Sequence, residues 1–213
     1  MVISYYGLGC FKVQVGDTVI ALNPVSKDSD FKSTRFSSDI AIVSLNDKNY
    51  NGVLNVSGGS RELFVVDGPG EYEIGGVYVK GFGMEETIAG EKKINTIYSV
   101  LFDDINLCHL GAINITNISA EIKEELGDID ILFTPITGGD LLSAADASKL
   151  VNSLEPKMII PMQSDVKGVS KIALSAFLKE SGEEDIKPID KLTIKKKDLE
   201  GKEGEVVILM PTI

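Results

Sequence analysis

Short apolar runs, broken by Gly, Asp and Asn, fill the first half of the chain. Val2 to Tyr6, Phe11 to Val15 and Thr18 to Leu22 read as strands, with Gly16-Asp17 a tight turn between the second and third. Asn23 to Ser38 is rich in Ser and Asp and reads as loop. Asp39 to Val43 and Leu63 to Val66 are short buried strands. Asp67 to Glu73 turns into a strand that runs to Val79, with Gly75-Gly76 marking a bulge or a hairpin turn. Thr96 to Phe102 and Ile105 to Leu110 pair as a hairpin across Asp103-Asp104. In the second half the pattern alternates. Ser119 caps a helix that ends at Gly127, Ser143 caps one that reaches Leu154, and a third spans Ser170 to Ser181 before Gly182. Ile129 to Thr134, Met158 to Pro161, Leu192 to Lys196 and Glu205 to Met210 are the intervening and closing strands. Hairpins followed by alternating strand and helix predict two sheets with helices on their outer faces.

One stretch stands out. The β-branched run Ile40 to Val43 stops abruptly in a polar loop, Ser44 to Asn51, and a loop at the carboxyl end of a buried strand is where chemistry is expected in an α/β protein.

Composition adds limits. The 213 residues, 43% of them hydrophobic, can bury the core of a single domain spanning 1–213. No apolar run approaches the ~20 residues that span a bilayer, and no leader-like segment opens the chain. Two cysteines, Cys10 and Cys108, make no disulfide framework, so the cytoplasm is the expected location. A net charge of −11 argues against nucleic acid as a partner, because binding phosphates requires a basic face. The one basic cluster, Lys191 to Lys197, alternates with Leu192 and Ile194 and reads as a lysine-guarded strand edge.

The loop after Val43 resembles the T/S-H-x-H-x-D-H-N motif of the metallo-β-lactamase superfamily. Ser44 and Asn51 keep its flanks. Leu45 stands at the first His, Asp47 at the second, Asn49 at the Asp and Tyr50 at the last His. Further segments are similar to a small branch of metal-dependent-hydrolase-like proteins akin to the ascorbate-phosphate lactonase-like group. These are the opening YYGLGCFKV, DGPGEYE from Asp67, Asn95 to Tyr98, Cys108 to Gly111, GDIDILFTP from Gly127, and Leu154 through Met162. The resemblance covers nearly the whole chain and implies a four-layer αββα sandwich. It also implies a metal site whose other positions are changed here. The His after the first Gly is Leu8, none follows Gly81, the bridging Asp is Ala112, and the last His is Gln163. The only histidine, His109, matches a position that is not a ligand.

A zinc hydrolase needs three or four N, O or S ligands and an open position for water. Leu45 and Ala112 ligate nothing, and Asn49, Gln163 and Tyr50 offer only neutral oxygens, so zinc is not expected. Asp47 with Glu85 or Glu86, plus Asn49 and Gln163, would supply oxygens for a hard cation. Cys108 and His109 are neighbours on one strand and face opposite ways, so they form no Cys–His pair. Three readings follow. One is a metal-free relative that binds a small molecule or a protein, or self-associates, with no membrane or nucleic-acid partner. Another is a hydrolase with a rebuilt site, using a hard cation at Asp47 or a pocket of Asn49, Tyr50, Gln163 and His109. The last is a metal-dependent hydrolase with ligands from positions outside the motif.

Overall fold

The computed structural model describes residues 1–32, 35–59, 62–162, 170–183 and 185–212. Its strands are β1 (Val2–Tyr5), β2 (Phe11–Val15), β3 (Thr18–Leu22), β4 (Ile40–Ile42), β5 (Phe64–Val66), β6 (Gly70–Ile74), β7 (Val77–Ile88), β8 (Glu91–Phe102), β9 (Ile105–His109), β10 (Ile131–Pro135), β11 (Met158–Met162), β12 (Lys191–Thr193) and β13 (Glu205–Val206). Helices α1 (Ala120–Leu126), α2 (Ala144–Leu154) and α3 (Ser170–Glu180) interrupt the second half. One sheet has the order β12-β1-β2-β3-β4-β5, and the other β13-β11-β10-β9-β8-β7-β6. The sheets face each other across one core, in which Ile3, Phe11, Ile20 and Ile42 meet Val79, Tyr98, Leu107, Phe133 and Ile160. The outer face of the seven-stranded sheet packs Ile97, Cys108, Leu132 and Ile159 under Leu126, Leu150 and Phe177 of the helices. Over the six-stranded sheet the outer layer is thin: Ala21, Ala41 and Val56 pack with Phe36, Val53 and Leu63 around a short 3-10 turn at Val53–Asn55. This is the two-sheet sandwich that the sequence predicts; among the described residues its three α-helices all lie on the seven-stranded sheet, and the six-stranded sheet carries the 3-10 turn where a helix layer is expected.

Local signals explain most boundaries. Gly75 and Gly76 both have positive φ (57° and 83°), which makes this a two-residue hairpin turn rather than a bulge. Asp103 and Asp104 do the same job at φ 55° and 61°. The Ser119 hydroxyl accepts the Ile122 N–H at 3.3 Å and the Ser143 hydroxyl accepts that of Asp146 at 3.2 Å, both as N-caps. Three expectations change, the first at Leu192–Lys196, where the strand is Lys191–Thr193 and Lys196–Leu199 is a 3-10 turn. The stretch from Gly81 to Ile94 is not a connection but the outer half of a long hairpin, β7 with β8. The last strand shortens to Glu205–Val206, and beyond it Leu209 makes only a single bridge to Ile189.

β12 lies at the edge of its sheet, beside β1, with Lys191 exposed, as the lysine pattern predicts. Lys196, from the same basic run, turns inward. Its Nζ lies 2.5 Å from Asp130, which also accepts from Lys157 Nζ at 2.8 Å and from the Asn106 N–H at 2.8 Å. Burial alone would raise the Asp130 carboxyl; the two lysines outweigh it and hold the group below the usual carboxylate range. Asp130 is 1% exposed, so its loss strands two ammonium groups and a backbone donor. Both lysine side chains keep some contact with water, which limits the penalty. We expect Asp130→Ala to lower stability by about 1–3 kcal/mol, read as a fall in the urea midpoint. An unchanged midpoint would show that the pin is decorative. Among the described residues no helix is long and apolar enough to cross a membrane.

Candidate functional site

The loops at the carboxyl ends of β3, β4 and β9 meet β8 in a buried polar clamp. Asn23, just past β3, receives the Ser44 N–H on Oδ1 at 2.8 Å and donates Nδ2 to the Ser44 hydroxyl at 2.8 Å. The Ser44 carbonyl accepts the Thr96 N–H at 2.8 Å, tying the two sheets together at this end. Asn95 donates to the Leu110 carbonyl at 2.9 Å and accepts the Ala112 N–H at 2.8 Å. Both asparagines are thus buried with partners on each side of the amide, the condition under which a buried polar group is tolerated.

Inside this frame, three positions that the resemblance aligns with ligands lie in apolar packing. Leu45 (2% exposed), Tyr50, Ala112 and Ile88 form one packed cluster, with Leu141 against it. The structure therefore brings together Leu45, Tyr50 and Ala112 in one buried cluster. Asp47 sits at the rim, partly buried. Its Oδ1 accepts the Asn49 N–H at 3.0 Å, and its Oδ2 lies 3.4 Å from Lys93 Nζ. Asn49 turns away from Asp47, its Oδ1 accepting the Ser29 hydroxyl at 2.6 Å. Gln163 lies outside the described residues. Glu85 is exposed and pairs with Lys92 at 2.6 Å, while Glu86 is buried.

His109 stands apart from the cluster, on the inner face of β9, stacked on Phe133 with ring centroids 5.6 Å apart. The Gly111 N–H donates to its Nδ1 at 3.1 Å. The proton must then be on Nε2, which lies 3.0 Å from the Gly9 carbonyl it donates to. Burial pulls the imidazole down to about 4. With both nitrogens engaged and the ring neutral, His109 is a cross-link between chain segments, not a base. Cys108 points the other way, into the helix-side core, and burial pushes both thiols up to about 12, far from nucleophilic.

Sequence reasoning missed three participants. Asn23 and Lys93 carry no local signal, since their partners are distant along the chain. Asn95 lies within a recognised segment, and its burial on a strand was the available clue.

This sandwich with its loop cluster at one end defines a class. The chain belongs to the β-lactamase superfamily domain family, whose model matches residues 2–163. It is 25% identical over 180 residues to a UPF0173 protein of Pyrococcus abyssi, covering 76% of this chain and 82% of that one. A Thermotoga maritima protein of the metallo-β-lactamase superfamily, provisionally named a Zn-dependent hydrolase, superposes with a TM-score of 0.78 at 24% identity over 99% of both chains. Igni18 of Ignicoccus hospitalis, described as a metallo hydrolase, superposes at 0.66 with 15% identity, over 100% of this chain and 96% of that one. These structural likenesses establish the fold.

Among the described residues no three His, Cys, Asp or Glu side chains converge. Leu45 and Ala112 put hydrocarbon at two positions that the sequence resemblance aligns with ligands, and Asp47, the one carboxylate in the 44–51 loop, is engaged by the Lys93 ammonium. The donors among the described residues do not fit a zinc centre.

Proposed function

We propose that this chain is a metal-free, non-catalytic member of its family, retained as a binding, scaffold or self-associating protein for a small-molecule or protein partner. The observation that carries this reading is the apolar cluster of Leu45, Tyr50, Ala112 and Ile88 at the place where the family's motif would gather ligands. Filling such a site with hydrocarbon removes the penalty of buried donors that have no ion to satisfy them. The clamp of Asn23, Ser44 and Asn95 then holds the loops in position through hydrogen bonds alone. Fold does not carry function, and here the frame persists while the donors do not.

The test is elemental analysis of purified, untagged protein, with thermal shifts in EDTA, Zn²⁺, Mn²⁺, Mg²⁺ and Ca²⁺. The expected result is less than about a tenth of an equivalent of any metal and no shift beyond about a degree, since an ion at many times its dissociation constant stabilises by a few kcal/mol. Esters, lactones and phosphodiesters should not turn over. A stoichiometric ion overturns the proposal. The hydrolase names of the relatives favour a competing reading, a hydrolase with a rebuilt site. That reading requires turnover that is abolished by Asp47→Ala in a chain that still folds.

A further inference from the structure

An open cavity of about 710 Å³ lies where α2 and α3 end and β13 begins, a volume in the range of small-molecule sites. It sits at the amino ends of β11 and β13. The strands β9, β10 and β11 are parallel, so this is the opposite end of the seven-stranded sheet from the motif loop. The buried side chains of Val151, Pro156 and Ile159 give the cavity an apolar wall.

The end of α2 that opens onto it is built against its own electrostatics. A helix ends best in a left-handed glycine or asparagine, with lysine or arginine in the last turn to meet the negative pole of the dipole. Here the left-handed residue is Glu155, at φ 48°, and the last turn holds no basic side chain. Pro156 brings no N–H to the Asn152 carbonyl, and the Lys157 and Met158 N–H groups go instead to the Ile129 and Asp130 carbonyls, at 3.0 Å each. The carbonyls of residues 152–154 therefore receive none of the N–H groups that a continuing helix would bring. Glu203 adds a second carboxylate to the lining, and the carboxyl end of α3 arrives through Ser181. Among the described residues that line the cavity, Lys202 is the only cation, and Glu205 already holds it. Among the described residues, neither Glu155 nor Glu203 has an ion-pair partner.

We propose that this cavity binds a linear aliphatic polyamine, with its methylenes on Val151, Pro156 and Ile159 and its ammonium groups on Glu155, Glu203 and the open carbonyls of α2. The ligand class follows from the pairing of the two surfaces. An anion would meet two carboxylates and the negative end of a helix. A hard metal ion gains nothing from hydrocarbon and takes several converging oxygens, and among the described residues no three acidic or soft ligands converge. A cation carried on a hydrocarbon chain suits both the wall and the acceptors. The strained, wrongly charged cap then has a purpose, since stability is commonly given up where a residue is placed for binding. This gives the binding role proposed above a ligand class without depending on the metal-free reading, which elemental analysis decides separately.

The test is titration of the purified protein with spermidine near neutral pH, followed by amide NMR shifts and calorimetry. The expected result is one site with a dissociation constant of roughly 0.1 mM, the scale for so small a ligand. Shifts should centre on residues 151–155 and 202–204, and binding should weaken as salt rises. Octanediol, a neutral chain of similar length, should give no response. Glu155→Gly separates binding from folding. Glycine removes both the left-handed strain and the misplaced charge, so the melting temperature should hold or rise while spermidine binds at least about tenfold more weakly. Glu203→Gln should also weaken binding. Shifts scattered over the acidic surface of this chain, whose net charge is −11, overturn the proposal. Binding that survives Glu155→Gly and Glu203→Gln together overturns it too, as does a fall in the melting temperature of Glu155→Gly, which would make the cap structural.

Discussion

Gly111→Ala should lower the stability of this protein by about 3–5 kcal/mol, from left-handed strain and overpacking together. Gly111 has φ +66°, a backbone region in which a Cβ is strained. The space is also taken. An ideal Cβ would lie 2.2 Å from Asn95 Oδ1, 2.6 Å from the Ser44 hydroxyl and 2.7 Å from Ser44 Cβ. Neither neighbour can yield cheaply. Asn95 Oδ1 holds the Ala112 N–H, and the Ser44 hydroxyl accepts from Asn23, so moving either one breaks the clamp that joins β3, β4, β8 and β9. The melting temperature should fall by roughly 10 °C and the urea midpoint should drop with it. A shift below about 2 °C would mean that the clamp has slack the geometry does not show.

The second large effect belongs to His109 and has a definite sign. The folded imidazole titrates at about 4, below its ordinary value of 6.5. Above pH 6.5 the ring is neutral in both states and its contribution to stability is complete. Between 6.5 and 4 the unfolded chain takes up the proton and the folded one does not, so stability falls with pH; below about 4 the loss levels off. The full loss amounts to about 3 kcal/mol. Because this is the chain's only histidine, no other imidazole contributes to the curve. The measurement is a set of urea titrations from pH 7 to pH 5, above most of the carboxylate range. It is best made with Glu86→Gln, because burial raises the Glu86 carboxyl above its usual range, which acts in the opposite sense: its contribution is complete at low pH and is lost as pH rises. Adding His109→Gln should flatten the slope. A slope that survives the substitution would assign the acid sensitivity to other groups.

The legible parts of this chain were those written locally. The turns at Gly16-Asp17, Gly75-Gly76 and Asp103-Asp104 and the caps at Ser119 and Ser143 are each set by residues within a few positions of one another. The opposite facing of Cys108 and His109 follows from the two-residue period of a strand. The outer half of the β7–β8 hairpin was not legible, because Glu85, Glu91, Lys92 and Lys93 look like a solvated loop. The even positions Phe82, Met84, Glu86 and Ile88 did alternate, but a carboxylate among them hid the buried face. At the candidate site, the replaced motif residues could be read directly. Their closure into one cluster, the Lys93–Asp47 pair across 46 positions and the Asp130–Lys196 pair across 66 could not, because no local pattern encodes a contact of that span. Asp130 is instructive, since it lies in a recognised segment and works as a structural pin.

The position of β12 bears on how the chain reaches this state. β1 finds its second neighbour only when Lys191–Thr193 arrives, and Tyr5 bridges to Pro211 still later. During synthesis the N-terminal hairpins must therefore wait, with one side of β1 open, until residues 191–193 have left the ribosome. Contacts this distant in sequence make for slow folding and a long-lived sticky intermediate. Nascent chains arrested before residue 191 should be the aggregation-prone species, and the ones that chaperones hold longest.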